Sequence, residues 1–362
     1  MASPKTDVAG LSLAELTEFL VDAGEKPYRA VQLFRWIHQR GAVSFDELSD
    51  LPKSLREQLG RVATIAAVDL DVAQSSADGT IKYRWRTFDG KLIESVYMPS
   101  PDRRTLCVST QAGCAMGCRF CATGTLGLAR HLSASEIAGQ VHAVNRDLIR
   151  REGHQIRRPL TNLVLMGMGE PLHNFENVRR ALELLQSDDG PGFSHRHITV
   201  STVGLVPMIE RFAQETSAKL AISLNASDDA IRDRLMPVNR KWNIEALLEA
   251  VRRFPAKQGR RITFEYVLLD GVNDSDDDAR RLARLLQGLR AKVNLIPYNE
   301  NPGLGFRASS TERAERFREL LAAARIDAFV RANRGRDIAA ACGQLANVQK
   351  QLGSRASSAI DP

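Results

Sequence analysis

Cysteine is scarce in this chain, five among 362 residues. That is too few for a disulfide framework, which small secreted folds build from many bridges. No run of eighteen consecutive apolar residues occurs, so no membrane-spanning helix is expected. The amino terminus, MASPKTDVAG, lacks the apolar core of a secretion signal. Cytoplasmic residence and no membrane partner are therefore the expectation. What remains is ordinary in amount. Hydrophobic residues make up 43% and charged ones 26%, enough for a sizeable core in one large barrel-type domain with a small appendage.

One compositional bias stands out. The formal net charge is +7, and an excess of Lys and Arg suits a polyanionic partner, because each neutralised phosphate releases counterions. The cations cluster at Arg150, Arg151, Arg157 and Arg158, again at Arg252, Arg253, Lys257, Arg260 and Arg261, and at Arg331, Arg334 and Arg336. Charge alone suits a merely basic soluble protein equally well.

Residues 1–62 read as a small helical unit. Ser12 and Glu15 form a capping box ahead of Leu16, Phe19 and Leu20. Ala30, Leu33, Phe34, Trp36 and Ile37 make a second amphipathic face, and Leu48, Leu51, Leu55 and Leu59 flank Pro52 at a helix start. Over 63–103 the pattern changes: IKYRWRTF and KLIESVYMP, separated by Asp89-Gly90, predict a β-hairpin linker region. From 104 to 348 short apolar strands at 105–110, 162–167, 197–202, 219–224, 262–269 and 293–298 alternate with helical patterns at 134–150, 175–187, 243–254, 275–288 and 310–324. The class is α/β, and the alternation fits a partial (β/α)6 barrel better than a full eight-fold one. The tail, 349–362, is small and polar and reads as disordered.

Four of the five cysteines fall between 107 and 121. Cys114-Ala-Met-Gly-Cys118-Arg-Phe-Cys121 places three thiolates so that they wrap one side of an iron–sulfur cluster, with Gly113 and Gly117 permitting the tight loop. Three ligands on a four-iron cubane leave one iron open, which is what a catalytic rather than structural site does. A zinc site would need a fourth ligand, and paired C-x-x-C units are missing. Met166-Gly-Met-Gly-Glu170-Pro171 closes the second barrel strand. Its glycines suit a strand-end turn but not a dinucleotide fingerprint, because Pro171 and Leu172 stand where the helix opening and third glycine belong. Cys107 lies seven residues before Cys114, and Cys342 sits in Asp337-Ile-Ala-Ala-Ala-Cys342-Gly-Gln-Leu345. A lone cysteine in such an apolar setting ordinarily reads as a small buried hydrophobe.

The three-cysteine run with an aromatic before its last member resembles the signature of the radical S-adenosylmethionine (SAM) superfamily, and Met166–Pro171 looks like its glycine-rich motif for the SAM amino group. The resemblance extends to the RlmN/Cfr family of RNA adenine methyltransferases through Lys26-Pro-Tyr-Arg-Ala-x-Gln-Leu-Phe-x-Trp-Ile37, Ser44-Phe-Asp-Glu-Leu-Ser-Asp-Leu-Pro52, Phe120-Cys-Ala-Thr-Gly124, Gly127-Leu-Ala-Arg130, Ser201-Thr-Val-Gly204, Ile296-Pro-Tyr-Asn299 and the Cys342 segment. It covers residues 11–348.

The resemblance implies one [4Fe–4S] cluster per chain on Cys114, Cys118 and Cys121, and two SAM consumed per turnover. SAM would contact Gly169, Glu170, Ser201, Ser223, Leu224, Asn225 and Asn299. The family usually reads Ser-Leu-His-Ala where this chain has Ser223-Leu-Asn225-Ala; asparagine still offers a donor and an acceptor. Cys342 would carry the methyl group, Cys107 would resolve the protein–RNA adduct by forming a Cys107–Cys342 disulfide, and Glu94 would accept a proton. The implied product is adenine methylated at C2 in 23S rRNA, at the peptidyl-transferase centre, and in tRNA, just 3′ of the anticodon. The helical unit would dock RNA, flavodoxin or ferredoxin would supply electrons, and a monomer would suffice. Three alternatives stay open. Methylthiolation usually needs three further cysteines, and two remain; C8 methylation uses the same accessory pair; a non-catalytic iron–sulfur RNA-binding protein would have no use for these motifs together.

Overall fold

The structure, a computed structural model, describes residues 5–65, 68–153, 158–254 and 261–345. Arg157, Lys257, Arg260 and the 349–362 tail lie outside the described residues.

The helical unit holds α1 (Leu13–Asp22), α2 (Tyr28–His38) and α3 (Lys53–Val62). Ser12 and Glu15 do form the capping box, and Pro52 does precede α3. Leu16, Leu20, Leu33, Phe34, Leu55 and Leu59 are all buried, as their helical spacing requires. The short parallel bridge between β1 (Thr6–Asp7) and β2 (Ala63–Thr64) ties the two ends of the unit together. Side-chain contacts bind it to the rest of the chain. His38 lies 3.1 Å from His142, Arg35 pairs with Asp189, Arg146 donates to the Gly41 carbonyl at 2.8 Å, and Arg180 pairs with Glu15.

The remainder is organised on one ten-stranded sheet. Three antiparallel strands, β3 (Asp69–Ser75), β4 (Ile81–Arg86) and β5 (Leu92–Ser100), lead into β6 (Arg103–Cys107). The hairpin expected as a linker is therefore part of the barrel sheet, because Val96 of β5 is laddered against Cys107 of β6. The edge strand β3 was not legible from its alternation of charge and small residues; a bulge at Leu70/Val72 twists it.

After β6 the chain makes a side hairpin, β7 (Gln111–Cys114) and β8 (Gly127–His131). It then enters α4 (Ala134–Glu152), whose Ser133–Glu136 capping box sets the start. Parallel strands follow in spatial order beside β6: β9 (Asn162–Leu165), α5 (Phe175–Gln186), β10 (Ile198–Thr202), α6 (Val206–Glu215), β11 (Lys219–Ser223), α7 (Asp229–Leu235), α8 (Ile244–Arg253), β12 (Ile262–Leu268), α9 (Asp276–Leu286), β13 (Ala291–Pro297), α10 (Thr311–Ala323) and β14 (Ala328–Val330). The six expected parallel strands are present. A seventh, β14, completes the curve with only three residues, too few to show a period. Strands covered by helices read as near-continuous apolar runs, and β12 is buried over most of its length. The described strands thus form a partial barrel. No helix among the described residues is long and apolar enough to cross a membrane.

Candidate active site

Parallel strands present their carboxyl ends, and the loops that follow them, to a common face, and ligands bind there. Here those ends surround a cavity of about 1000 Å³. It is lined by Gly169 and Glu170 after β9, Ser201 on β10, Ser223 and Asn225 at the end of β11, Asn299 beyond β13, and Cys342 beyond β14. Cys114, Cys118 and Cys121 close it from the side hairpin. A second cavity of about 730 Å³ shares Cys121, Met166, Asn299, Arg331 and Cys342 with the first and adds Cys107, at the carboxyl end of β6.

The three-cysteine loop spans the gap between β7 and β8. Gly113 adopts φ +81° and Gly117 φ +65°. A Cβ on Gly113 would lie 2.0 Å from the Gly127 carbonyl oxygen, so only glycine lets the two strands pair there. Burial pushes the Cys114 thiol up to about 12 and the Cys118 thiol well above the ordinary range; neighbouring thiolates and the Glu170 carboxylate push in the same direction. Burial also raises Cys121, against hydrogen bonds from Gly124 and Thr123. Thiols that are costly to ionise in isolation become a favourable donor set once a cationic metal centre takes them as thiolates. Among the described residues, no group of three or more His, Cys, Asp or Glu side chains could hold a single metal ion. A cubane instead takes each thiolate on a different iron, and three cysteines around one wall fit it.

The opposite wall is polar. Glu170 accepts from the backbone N–H of Leu172 at 3.0 Å and of Val203 at 2.9 Å, while burial pushes its carboxyl up to about 7. The hydroxyls of Ser201 and Ser223 are 3.2 Å apart. Asn225 has φ +57°, its side-chain oxygen accepts from the Val267 N–H at 2.9 Å, and its amide nitrogen lies 3.3 Å from the Met236 sulfur. Asparagine and histidine both tolerate the left-handed region better than most residues, so this position keeps its backbone with either side chain. Asn299 accepts from Arg336 at 3.3 Å.

Two expected site residues are not in these walls. Leu224 is fully buried in the core; its N–H donates to the Glu265 carbonyl and its carbonyl accepts from Arg232. It serves as packing between two cavity residues. Glu94 is 3% exposed and pairs with buried Lys82 at 3.9 Å, not solvent-facing as a strand glutamate usually is. It shares a face of β5 with Val96, which lines the Cys107 cavity.

Two charged cavity residues escaped the sequence reading of the site. Glu265, on β12, is 5% exposed; Asn294 donates to one oxygen at 3.0 Å, and the other is buried with no hydrogen bond among the described residues. A carboxylate in the middle of Ile262-Thr-Phe-Glu-Tyr-Val-Leu268 was the available signal. Arg331 follows the short β14. The Cys342 sulfur beside it, with Glu265 and Cys107, shifts its guanidinium upward against the cost of burial.

Cys342 is exposed, whereas Cys107 is 7% exposed and burial pushes its thiol up to about 12. Both are free thiols, so no standing disulfide joins them. The Cys342 segment is fastened from two sides. The Ala122 N–H donates to the Gly343 carbonyl at 2.8 Å, and Asn301 donates to the same oxygen at 3.1 Å. On the other side Ser76 donates to Asp337 at 2.6 Å, the Gly335 N–H donates to Asp78 at 3.1 Å, and Lys82 donates to the Ala339 carbonyl at 3.4 Å.

Such a site, three cysteines on a side hairpin facing strand ends of a partial barrel, defines a class. Residues 108–283 match the radical SAM superfamily, and residues 6–65 match the ribosomal RNA large subunit methyltransferase N-terminal domain. The chain is 66% identical over 342 residues to "Dual-specificity RNA methyltransferase RlmN 2" of Myxococcus xanthus, covering 94% of this chain and 90% of that one. It is 59% identical over 340 residues to the RlmN of Anaeromyxobacter dehalogenans, covering 94% and 91%. A crystal structure of a radical SAM methyltransferase from Sphaerobacter thermophilus superposes with a TM-score of 0.90 at 48% identity, covering 95% of this chain and 99% of that one. The chain belongs to the RlmN family.

Proposed function

We propose that this protein methylates carbon 2 of adenine in 23S rRNA, at the peptidyl-transferase centre, and in tRNA, at the adenosine 3′ of the anticodon, through an S-methylated Cys342. The observation that carries the reading is the placing of Cys342: its cavity wall includes the three-cysteine loop on one side, and the adjoining cavity adds Cys107 on the other. Dual specificity and RNA come from the names borne by relatives that match nearly end to end.

Cys114, Cys118 and Cys121 would hold the [4Fe–4S] cluster, which when bound passes an electron from a reducing system such as flavodoxin or ferredoxin to SAM and cleaves it to methionine and a deoxyadenosyl radical. Glu170, Ser201, Ser223, Asn225 and Asn299 orient SAM beside it. The Cys342 sulfur first takes the methyl of one SAM, forming an S–C bond as the sulfonium C–S bond breaks. Its methyl then gives up a hydrogen atom to the radical from a second SAM, and the remaining methylene bonds to C2. The adduct would give one electron back to the cluster that Cys114, Cys118 and Cys121 would hold, and its C2 proton would pass to Glu94. The Cys107 thiolate attacks the Cys342 sulfur, a disulfide forms, and the electron pair of the broken S–C bond takes up a proton to complete the product methyl. The disulfide is transient, reset by the reducing system.

Methylation of defined rRNA and tRNA fragments with isotopically labelled SAM tests this, with mass spectrometry and NMR of the nucleoside locating the label. Label at C2 in both RNAs is expected. Label at C8 would move the protein to the other branch of the family, and failure to form 5′-deoxyadenosine would overturn the catalytic reading.

A further inference from the structure

Outside the two cavities lies an open groove of about 1350 Å³ on the outer side of the three-cysteine loop. Ala115 and Met116, between Cys114 and Cys118, form one wall, and Trp242, Met208 and Phe175 form much of the rest. Met116 lines both this groove and the central cavity, and is the one described residue the two have in common. The groove shares no described residue with the Cys107 cavity, toward which the target base must come.

Its rim is cationic. Lys241 lies in the wall, its ammonium 4.6 Å from the Trp242 ring centroid. Arg119, Arg234 and Arg240 are exposed nearby: the Arg119 N–H donates to the Leu235 carbonyl, and Pro237 and Val238 of the same segment line the groove. None of these four cations makes an ion pair among the described residues, whereas the acid in the groove, Glu176, is paired with Arg211 at 2.6 Å. An apolar centre with an unneutralised cationic rim is the anatomy of a protein interface for an acidic partner.

We infer that this groove is the docking surface for a small acidic protein that carries one electron at a time to the three-cysteine site. The inference rests on the radical SAM reading above. A carrier seated here stands one side chain, Met116, from the cavity that the three thiols line, while the RNA face beside Cys107 stays free. In the step itself the carrier loses one electron and the site gains it; no proton or group is transferred.

The test uses the reconstituted holoenzyme and a flavodoxin hydroquinone as the probe. Binding is followed by calorimetry, and electron transfer by stopped-flow absorbance of the flavin, in the wild type and in the double variant Arg240→Glu/Lys241→Glu. Both residues are exposed, and circular dichroism confirms folding. The variant is expected to lose tenfold to a hundredfold in the association rate and to show a flatter salt dependence. Reduction by dithionite, dithionite-driven SAM cleavage and RNA affinity are expected to stay unchanged. An unchanged flavodoxin rate overturns the inference, and so does a fall in RNA affinity, which would make the groove an RNA surface. A wild type that forms no 5′-deoxyadenosine with dithionite would instead overturn the enzymatic reading.

Discussion

The loop carrying Cys114, Cys118 and Cys121 is strung between two paired strands, whereas Cys342 sits beyond the last strand on a segment with one short 3-10 turn. The first is built from within: β7 and β8 pair across Gly113, and its thiols are buried or half-buried. The second is held from without, by the β3–β4 turn on one side and the three-cysteine loop on the other. Its thiol is exposed. The two constructions suit the two tasks proposed above. Metal ligands must keep a fixed mutual geometry through every turnover. A methyl carrier must meet SAM, a base and a second thiol in turn, which suits an exposed thiol on a segment outside any strand.

The sharpest separation of the two comes from single-cysteine variants. Cys118→Ala is expected to abolish the cluster absorbance and SAM cleavage together. Cys342→Ala is expected to abolish methyl transfer while leaving the cluster absorbance intact; retained transfer would remove Cys342 from its role. In the same series, Cys107→Ala is expected to strand a slow-migrating protein–RNA adduct on a denaturing gel.

Thiol reactivity comes next in size. In the apo protein at pH 8, iodoacetamide is expected to modify exposed Cys342 first. Cys107, with its thiol pushed up to about 12, would be ionised in only about one molecule in ten thousand and protected as well by burial. Mass-spectrometric mapping that found Cys107 modified as fast as Cys342 would break the contrast.

Smaller effects probe the outer anchor. Gly335 has φ +59°, and a Cβ there would lie 2.8 Å from the Ala340 Cβ and 2.9 Å from Thr80 Cγ2. Gly335→Ala is expected to cost about 1–3 kcal/mol locally and to slow methyl transfer, with cluster absorbance unchanged. Thermal unfolding and turnover measured together would show whether the anchor matters to chemistry or only to folding.

The smallest effect is on acid response. Hydrogen bonds from Thr80, Gly335 and Ser76 outweigh burial and bring the Asp78 carboxyl down to about 2 from 3.8. Since the folded-state value is the lower one, the contribution is whole above pH 3.8 and is lost as pH falls through about 2. Screened by solvent it amounts to about 0.5 kcal/mol. Protection of the Gly335 amide in hydrogen exchange is expected to fall over that window, and an Asp78→Asn variant is expected to lack the change.

Much of this comparison was legible in the residues. Periodicity placed the three amino-terminal helices and six parallel strands, and spacing picked out the three thiols that close the cavity. The misses share a cause. β14 is three residues long, and β3 is an edge whose polar alternation looks like loop. Glu265 and Arg331 gain meaning only when β12 and β14 are set side by side around β13, a neighbourhood no local window contains. Leu224 was carried along with its neighbours, yet strand alternation turns its side chain into the core while Ser223 and Asn225 face the cavity.

The hydrogen bond from the Ala122 N–H to the Gly343 carbonyl is made by main-chain atoms alone. Side-chain replacement at either position therefore leaves it in place, short of proline at 122, which would delete the donor. This link between the three-cysteine loop and the Cys342 segment is thus written in the backbone. Anyone transplanting the pair into another barrel would need to move both segments as one unit, or rebuild that bond together with the one Thr123 donates to the Leu345 carbonyl.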